Sequence, residues 1–520
     1  MSIPEPLSGT GAGPDGASGT LAPDPAGTWH RVHPVSPFVR GWIALAAIAY
    51  FFGRDWFEGF FRGEPVWAVA DGRLGWTAAA LGVVLVLLVG GYVLSWWFTR
   101  YQITGDHVRV NSGILFRQHR QARLDRVQAI DIVQPLLARI FALAELKFEV
   151  ADAGESAVRL AYLPLADAQR LRAAILAHAA GIRLDPAKPE EAPEAPEQQV
   201  LAVPGGRVAG AALLSGTTVF LVLAVAAAAV LAWLADTPAA MAVLLPTLFG
   251  TAAGYWGFFS TAYNFRAAIS PDGIRLRYGL LETRAQTVPP GRVQAVSVSQ
   301  PPLWRAKGWY RMRVNVAGYG AGGENAAART TLLPVGTRQD VMQILALVLP
   351  DPGTPDPLAV FGAGLAGSGS GAGFRTSPRR ARWLSPLSFR RNGYAATGTA
   401  LLARSGALWR ELAVVPHERT QSIALHQGPL ARRLGLADLR LHTTVGPVDP
   451  RVRQLDTAAA RLLFDEQAAR AAAARRIAVP ERWLEQRPGS GPATDTGPAI
   501  AVNDAQDEKD EQLEQDHGRG

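Results

Sequence analysis

The stretch GLLETRAQTVPPGRVQAVSVSQPPLWR, residues 279–305, has two counterparts in the same chain that align with it without a gap. They are GILFRQHRQARLDRVQAIDIVQPLLAR at 113–139 and GALWRELAVVPHERTQSIALHQGPLAR at 406–432. Each copy opens on a glycine (Gly113, Gly279, Gly406) and continues to an Arg-x-Gln (Arg126/Gln128, Arg292/Gln294, Arg419/Gln421). A second glutamine follows (Gln134, Gln300, Gln427), then an arginine (Arg139, Arg305, Arg432). The match extends over 101–150, 267–316 and 394–443. A period this long exceeds any solenoid unit, so each copy reads as a domain and the three share one fold.

Apolar residues alternate within each copy. Ile130/Ile132, Val296/Val298 and Ile423/Leu425 occupy every second position, as do Leu146/Phe148/Val150, Met312/Val314/Val316 and Leu439/Leu441. This period belongs to half-buried strands. The opening glycine follows a short strand (108–110, 274–276, 401–403) and predicts a turn with positive φ. Helical patterns close the copies at 165–180, 336–349 and 455–474. Several short antiparallel strands followed by one helix predict a small β-sandwich or open barrel, covered at one end by that helix.

Outside the copies the chain changes character. Residues 76–98, 208–235 and 239–261 are charge-free and apolar over lengths that span a bilayer. A fourth segment, 38–57, has Arg40 at one end and Arg54 and Asp55 at the other, so Arg40 would snorkel to the headgroups. These pair into hairpins over 38–98 and 208–261. Basic residues cluster before and after each hairpin (Arg31, Arg40, Arg100, Arg109; Arg207, Arg266, Arg275, Arg277). By the positive-inside rule, all three domains and both termini then face the cytoplasm.

The remainder is bounded by composition. Residues 1–28 are rich in Gly, Pro and Ala and read as disordered, as does the acidic tail 488–520 with its 8 Asp/Glu against 2 Lys/Arg. Residues 183–206 and 350–382 read as linkers, the second holding a Gly362-Ala-Gly364-Leu-Ala-Gly367 tract with no preceding strand to make it a nucleotide loop. The domains therefore run 99–182, 262–349 and 383–476. The net charge is +8, and residues 375–487 carry 20 Lys/Arg against 9 Asp/Glu. The chain has no cysteine, which excludes disulfides, thiolate metal sites and cysteine nucleophiles.

The opening Tyr101-Gln-Ile-Thr, the glycine after it, the Arg-x-Gln and the glutamine-containing turn resemble the bacterial pleckstrin-homology-like domains. The chain resembles in particular the membrane-flanked family in which helical hairpins alternate with such domains. The resemblance implies a pleckstrin-homology-like fold and a bacterial plasma-membrane location, and it carries over no catalytic residue. Two departures stand out: no span pair precedes copy three, and copy one has Ala142 where the others have Gly308 and Gly435.

The sequence holds no Walker loop, nucleophile elbow, paired-carboxylate signature or metal-ligand spacing, so no enzyme, cofactor or metal is expected. His417, His426 and His442 form a loose group in copy three. The candidates are the recurring cations Arg126, Arg292 and Arg419; Arg139, Arg305 and Arg432; and Lys147, Arg313 and Arg440, the last three expected to face outward. With the apolar tips Leu303–Trp304 and Leu430 they suit anionic lipid headgroups at the bilayer. Alternatively, the arginines and glutamines satisfy backbone groups at a turn, and the leucines pack into their own cores. Two classes of function follow: a membrane-tethered binding or scaffold protein, contacting lipids or membrane or cytoplasmic proteins, or a component of a transport or export system. The near absence of ionisable residues in the spans speaks against transport. Nucleic acid is not an expected partner.

Overall fold

The computed structural model describes residues 29–36, 38–39, 50, 74–104, 107–113, 118–123, 127–150, 158–179, 198–235, 239–270, 273–288, 290–317 and 330–477. The 1–28 segment, the acidic tail, nearly all of the 38–57 segment and Arg126 lie outside them.

Repeat one holds β1 (Trp29–Arg31), helix α1 (Leu74–Phe98), β2 (Arg100–Ile103), β3 (His107–Ser112) and β4 (Gln118–Arg123), then β5 (Val127–Pro135), β6 (Leu143–Val150), β7 (Val158–Pro164) and α2 (Leu165–Ala179). Repeat two opens with β8 (Gln198–Ala202), α3 (Gly205–Leu213), α4 (Gly216–Ala235) and α5 (Ala239–Ala262). It continues through β9 (Arg266–Ser270), β10 (Gly273–Tyr278), β11 (Glu282–Val288), β12 (Val293–Gln300), β13 (Tyr310–Val316), β14 (Thr331–Gly336) and α6 (Arg338–Val348). Repeat three consists of α7 (Pro357–Leu365), β15 (Arg375–Thr376), β16 (Gly393–Ala396), β17 (Ala400–Ser405), β18 (Arg410–Pro416), β19 (Ser422–His426), β20 (Leu436–His442), β21 (Arg451–Asp456) and α8 (Thr457–Ile477). Seven strands and a closing helix thus recur three times, as the alternating pattern predicts.

The opening glycines all have positive φ: Gly113 at 103°, Gly279 at 114° and Gly406 at 76°. A Cβ on Gly279 or Gly406 would also lie 1.9 Å from a backbone carbonyl oxygen, of Glu282 or Trp409. Gly308 and Gly435 turn left-handed at 62° and 61°, and Ala142 adopts the same turn at 51° despite its Cβ. Its departure from the repeat pattern therefore leaves the backbone path unchanged.

The repeats are not beads on a string. Strands β1-β2-β3-β4 form one sheet, β7-β6-β5-β11-β10-β9-β8 a second, β14-β13-β12-β18-β17-β16-β15 a third, and β19-β20-β21 a fourth. The three-stranded half of each repeat is therefore continuous with the four-stranded half of the next. Both junctions are antiparallel and share one register. Gln134 faces Thr283 across β5 and β11, and Gln300 faces Arg410 across β12 and β18. Thr283 and Arg410 stand at matching places after Gly279 and Gly406, so the two junctions correspond residue for residue. Edge pairing satisfies the ladder groups that would otherwise need water.

The helical hairpin is an insertion at a fixed place. In repeat two, β8 leads into α3–α5 and the chain returns as β9, which pairs with β8. In repeat one, β1 pairs likewise with β2 across the segment that contains α1. In repeat three, β15 pairs with β16 in the same way, but only residues 377–392 intervene. The run Gly205–Leu234 is, by length and composition, apolar enough to cross a membrane; a shorter apolar helix covers Gly82–Phe98. Phe220, Leu223, Trp233 and Phe249 on α4 and α5 project outward and are exposed.

The segment 350–382 is not a linker. Asp356 caps α7 by accepting from the Ala359 N–H at 2.9 Å, with Pro357 in the first turn. Phe361 and Leu365 of α7, with Phe374 beyond it, enter the core shared with repeat two. The glycines that suggest flexibility serve close approach, since a Cβ on Gly364 would meet Leu412 at 2.8 Å. Likewise, the end of the predicted 183–206 linker is β8, the start of α3 and the connection between them.

Candidate functional site: the repeat junctions and the third repeat

The three second glutamines perform one task. Each donates from Nε2 to a carbonyl at the start of the following strand or just before it: Gln134 to Leu143 at 3.1 Å, Gln300 to Trp309 at 3.3 Å and Gln427 to Leu436 at 2.9 Å. Their fixed spacing reflects closure of a turn. In the Arg-x-Gln of repeat two, Arg292 is half-buried in the turn Pro290–Arg292, and its carbonyl accepts the Ala317 N–H. Arg419 lies in the matching turn His417–Arg419, 3.8 Å from Glu418. Beside it, buried His417 is bracketed by the Gln467 side chain and the Thr397 carbonyl, each at 3.0 Å.

The arginines that end the motif are latches between repeats. Arg139 donates to Thr283 Oγ1 of repeat two at 3.3 Å, and Arg305 donates to the Ala407 and Leu408 carbonyls of repeat three. Arg432 has no following repeat among the described residues and is exposed. Asn315 strengthens the second junction from a fully buried position. It donates to the Val448 carbonyl at 2.7 Å and accepts the Val448 N–H at 2.9 Å. Its only sequence signal was a polar residue between the apolar Val314 and Val316.

Of the three residues expected to face outward, Arg313 is exposed, Arg440 is half-buried and bonded to Asp449 at 2.8 Å, and Lys147 is buried. Lys147 corrects the expectation for a physical reason. Its strand face would be open in an isolated repeat, but Tyr278, Glu282 and Arg284 of repeat two close over it. Together with Asp131, Glu145 and Arg159 they line a cavity of about 140 Å³. The lining carries both signs, so it suits a junction network rather than an anion site.

Trp304 corrects a second expectation. It is fully buried, its Nε1 donates to the Ala211 carbonyl of α3 at 3.1 Å, and its ring meets Trp309 edge-on. The short helix Leu303–Lys307 turns Trp304 inward and leaves Leu303 at the rim. Leu430, at the corresponding place in repeat three, is 61% exposed. Arg311 lies over the Phe258 and Trp304 rings, 5.1 Å from each centroid. Burial lowers its pKa to about 10, leaving it charged at neutral pH. With Phe258, Ala262, Phe265, Tyr278 and Arg313 it lines a largely apolar cleft of about 220 Å³ at the foot of α5.

Repeat three contains two buried arginines that sequence reasoning missed. Arg391 donates to the Gly364, Leu365 and Gly367 carbonyls at 2.8, 3.0 and 2.6 Å, taking up the C-terminal end of α7. Arg404 donates to the Ala363 carbonyl at 3.2 Å and to that of Gly369, and lies over Phe374. Cations suit the negative end of a helix dipole. Burial pushes Arg391 down to about 9, with Arg410 and Arg404 adding to the effect.

Among the described residues, sheet edges end the array. Strand β12, covered by repeat three, is buried along most of its length. The corresponding β19 is exposed or half-buried throughout, at the edge of its sheet. At the other end β4 is also an edge strand, exposed except at Ala122.

Three seven-stranded repeats, each closed by a helix, define a class, and comparison with known proteins agrees. The bacterial PH domain family matches residues 44–179, 212–350 and 359–471, and the chain belongs to that family. The third match begins within α7, so the supposed linker is domain sequence. Among individual relatives, the chain is similar to the UPF0699 transmembrane protein YdbT of Bacillus subtilis (strain 168). The two are 23% identical over 299 residues, which cover 53% of this chain and 61% of that protein. The aligned part thus spans about three fifths of that relative's length.

Proposed function

We propose that this is a non-enzymatic, multi-pass membrane scaffold with cytoplasmic repeats, whose open β19 edge receives a strand from a partner protein. The carrying observation is that the strands equivalent to β19 each accept an antiparallel strand in one register, twice in this chain. Strand β19 keeps their alternation and carries no Asp, Glu, Lys or Arg, while Arg432 stands beside it at the place of the latch of a junction not made among the described residues. Backbone pairing supplies affinity in strand addition, and side chains on the two faces supply selectivity. A second copy would have to offer β4, whose His119, Arg120 and Arg123 would meet a strongly basic repeat. Charged edges of this kind oppose pairing. The expected partner therefore has a neutral or acidic edge. The exposed apolar faces of α4 and α5 and the transmembrane relative support the membrane placement.

A photo-crosslinking residue at Ala424 should form an adduct with a protein in native membranes, whereas one at Val445 should not. Leu425→Lys combined with Arg432→Glu should abolish the adduct. No adduct at 424, or one that survives the double substitution, contradicts the reading.

A further inference from the structure

We infer that the loop at residues 377–392 of repeat three is an interfacial membrane foot that rests on an anionic bilayer, in the place where the other repeats have a hairpin. This rests on the membrane placement of the hairpins given above and not on the β19 reading. Position is the first observation. The loop joins β15 to β16 as the hairpin joins β8 to β9, and the shared junction register carries repeat two onto repeat three. The end of the sheet that points to the bilayer in repeat two is thus the end from which this loop emerges.

Chemistry is the second observation. Trp383 and Leu387 are 72% and 71% exposed, although the backbone beneath them is fixed. Ala381 is buried, its carbonyl accepts from Leu384 and Ser385, and Gln454 Nε2 donates to Ser385 Oγ at 2.6 Å. The apolar tips are therefore held outward by an ordered base. Around them Arg379, Arg382 and Arg390 are exposed, Arg382 lying over Trp383 and Arg390 over Phe389. The loop contains no acidic residue. Apolar tips at the acyl boundary with cations among anionic headgroups make an interfacial anchor, and tryptophan favours that depth. Arg380, also exposed, is instead paired with Asp456 and the Gly435 carbonyl.

The cysteine-free chain permits a direct test on the full-length protein in lipid nanodiscs. A single cysteine at 387, 445 or 220 carries an environment-sensitive fluorophore, and lipids with quenchers at the headgroup boundary report contact. Val445 lies in the loop between β20 and β21, at the far end of that hairpin from the contacts of Arg380, and Phe220 is on α4. With phosphatidylglycerol present, quenching is expected at 387 and 220 and not at 445. At 387 it should fall in phosphatidylcholine alone and be lost in Arg382→Glu/Arg390→Glu, but not in the corresponding lysine variant. Quenching at 220 without quenching at 387 overturns the foot and leaves the hairpins standing. Absence at 220 removes the membrane placement and the foot with it. Quenching at 387 that ignores lipid charge and both arginine variants also overturns the anionic-surface assignment.

Discussion

Arg391→Met is expected to release α7 from repeat three and to destabilise the protein by on the order of 4 kcal/mol. Hydrogen bonds from a charged donor contribute about 1.5–3 kcal/mol each, and buried acceptors left without partners add to the loss. Three carbonyls at the end of α7 would lose their guanidinium donor, and a fourth bond, to the Ser405 carbonyl at 3.3 Å, would go with them. Arg391→Lys should recover little, because an ammonium cannot span acceptors that a planar fork reaches together. Hydrogen exchange separates local from global effects: α7 amides should lose protection first, while those of repeat one keep theirs. Unchanged protection in α7 would refute the assignment.

Trp304→Ala should be comparably severe, costing about 3–5 kcal/mol, the range for large aromatic truncations in cores. Trp304→Phe retains most of the ring and loses chiefly the bond to the Ala211 carbonyl, about 1 kcal/mol. Leu430→Asp, at an exposed position in repeat three, should change stability by no more than about 0.5 kcal/mol. Thermal unfolding of the three variants in detergent checks the order. A Trp304→Ala protein that melts like the parent would return Trp304 to the surface that its sequence context suggests.

These contrasts show what a sequence of this kind discloses. The turn glycines were legible because only a positive φ explains a glycine at one place in three copies. Strands were legible from their period of two, and helices α2, α6 and α8 from the patterns that follow the strands. Trp304 and Lys147 were misread for a common reason. A local pattern, whether the alternation around Lys147 or the turn around Trp304, does not tell what a neighbouring repeat or helix places over a residue. Helix α7 was hidden because glycine-rich composition describes a flexible linker and a closely packed helix equally well. Of the arginines that end its dipole, Arg391 lies outside the recurring stretch and Arg404 reads as one more charged residue of a strand. Sheet fusion left the faintest trace. Backbone edges pair through groups that every residue carries, so the recurring Gln and Arg marked the junction without revealing that it was one.

The central claim is that successive repeats share a continuous sheet in one register, leaving β19 as the open end. In a chain without cysteine, this can be read by oxidation. Opposite residues in an antiparallel pair have Cα atoms about 4.5–5.5 Å apart, within disulfide reach. Ser299 faces Glu411 across β12 and β18, whereas Ala413 is two positions away along the strand. The protein carrying Ser299→Cys with Glu411→Cys should form an intramolecular disulfide in native membranes, detected by mass spectrometry of the linked peptides. Ser299→Cys with Ala413→Cys should not. Cross-linking of the mismatched pair, or of neither, would contradict the fused sheet and the open edge derived from it.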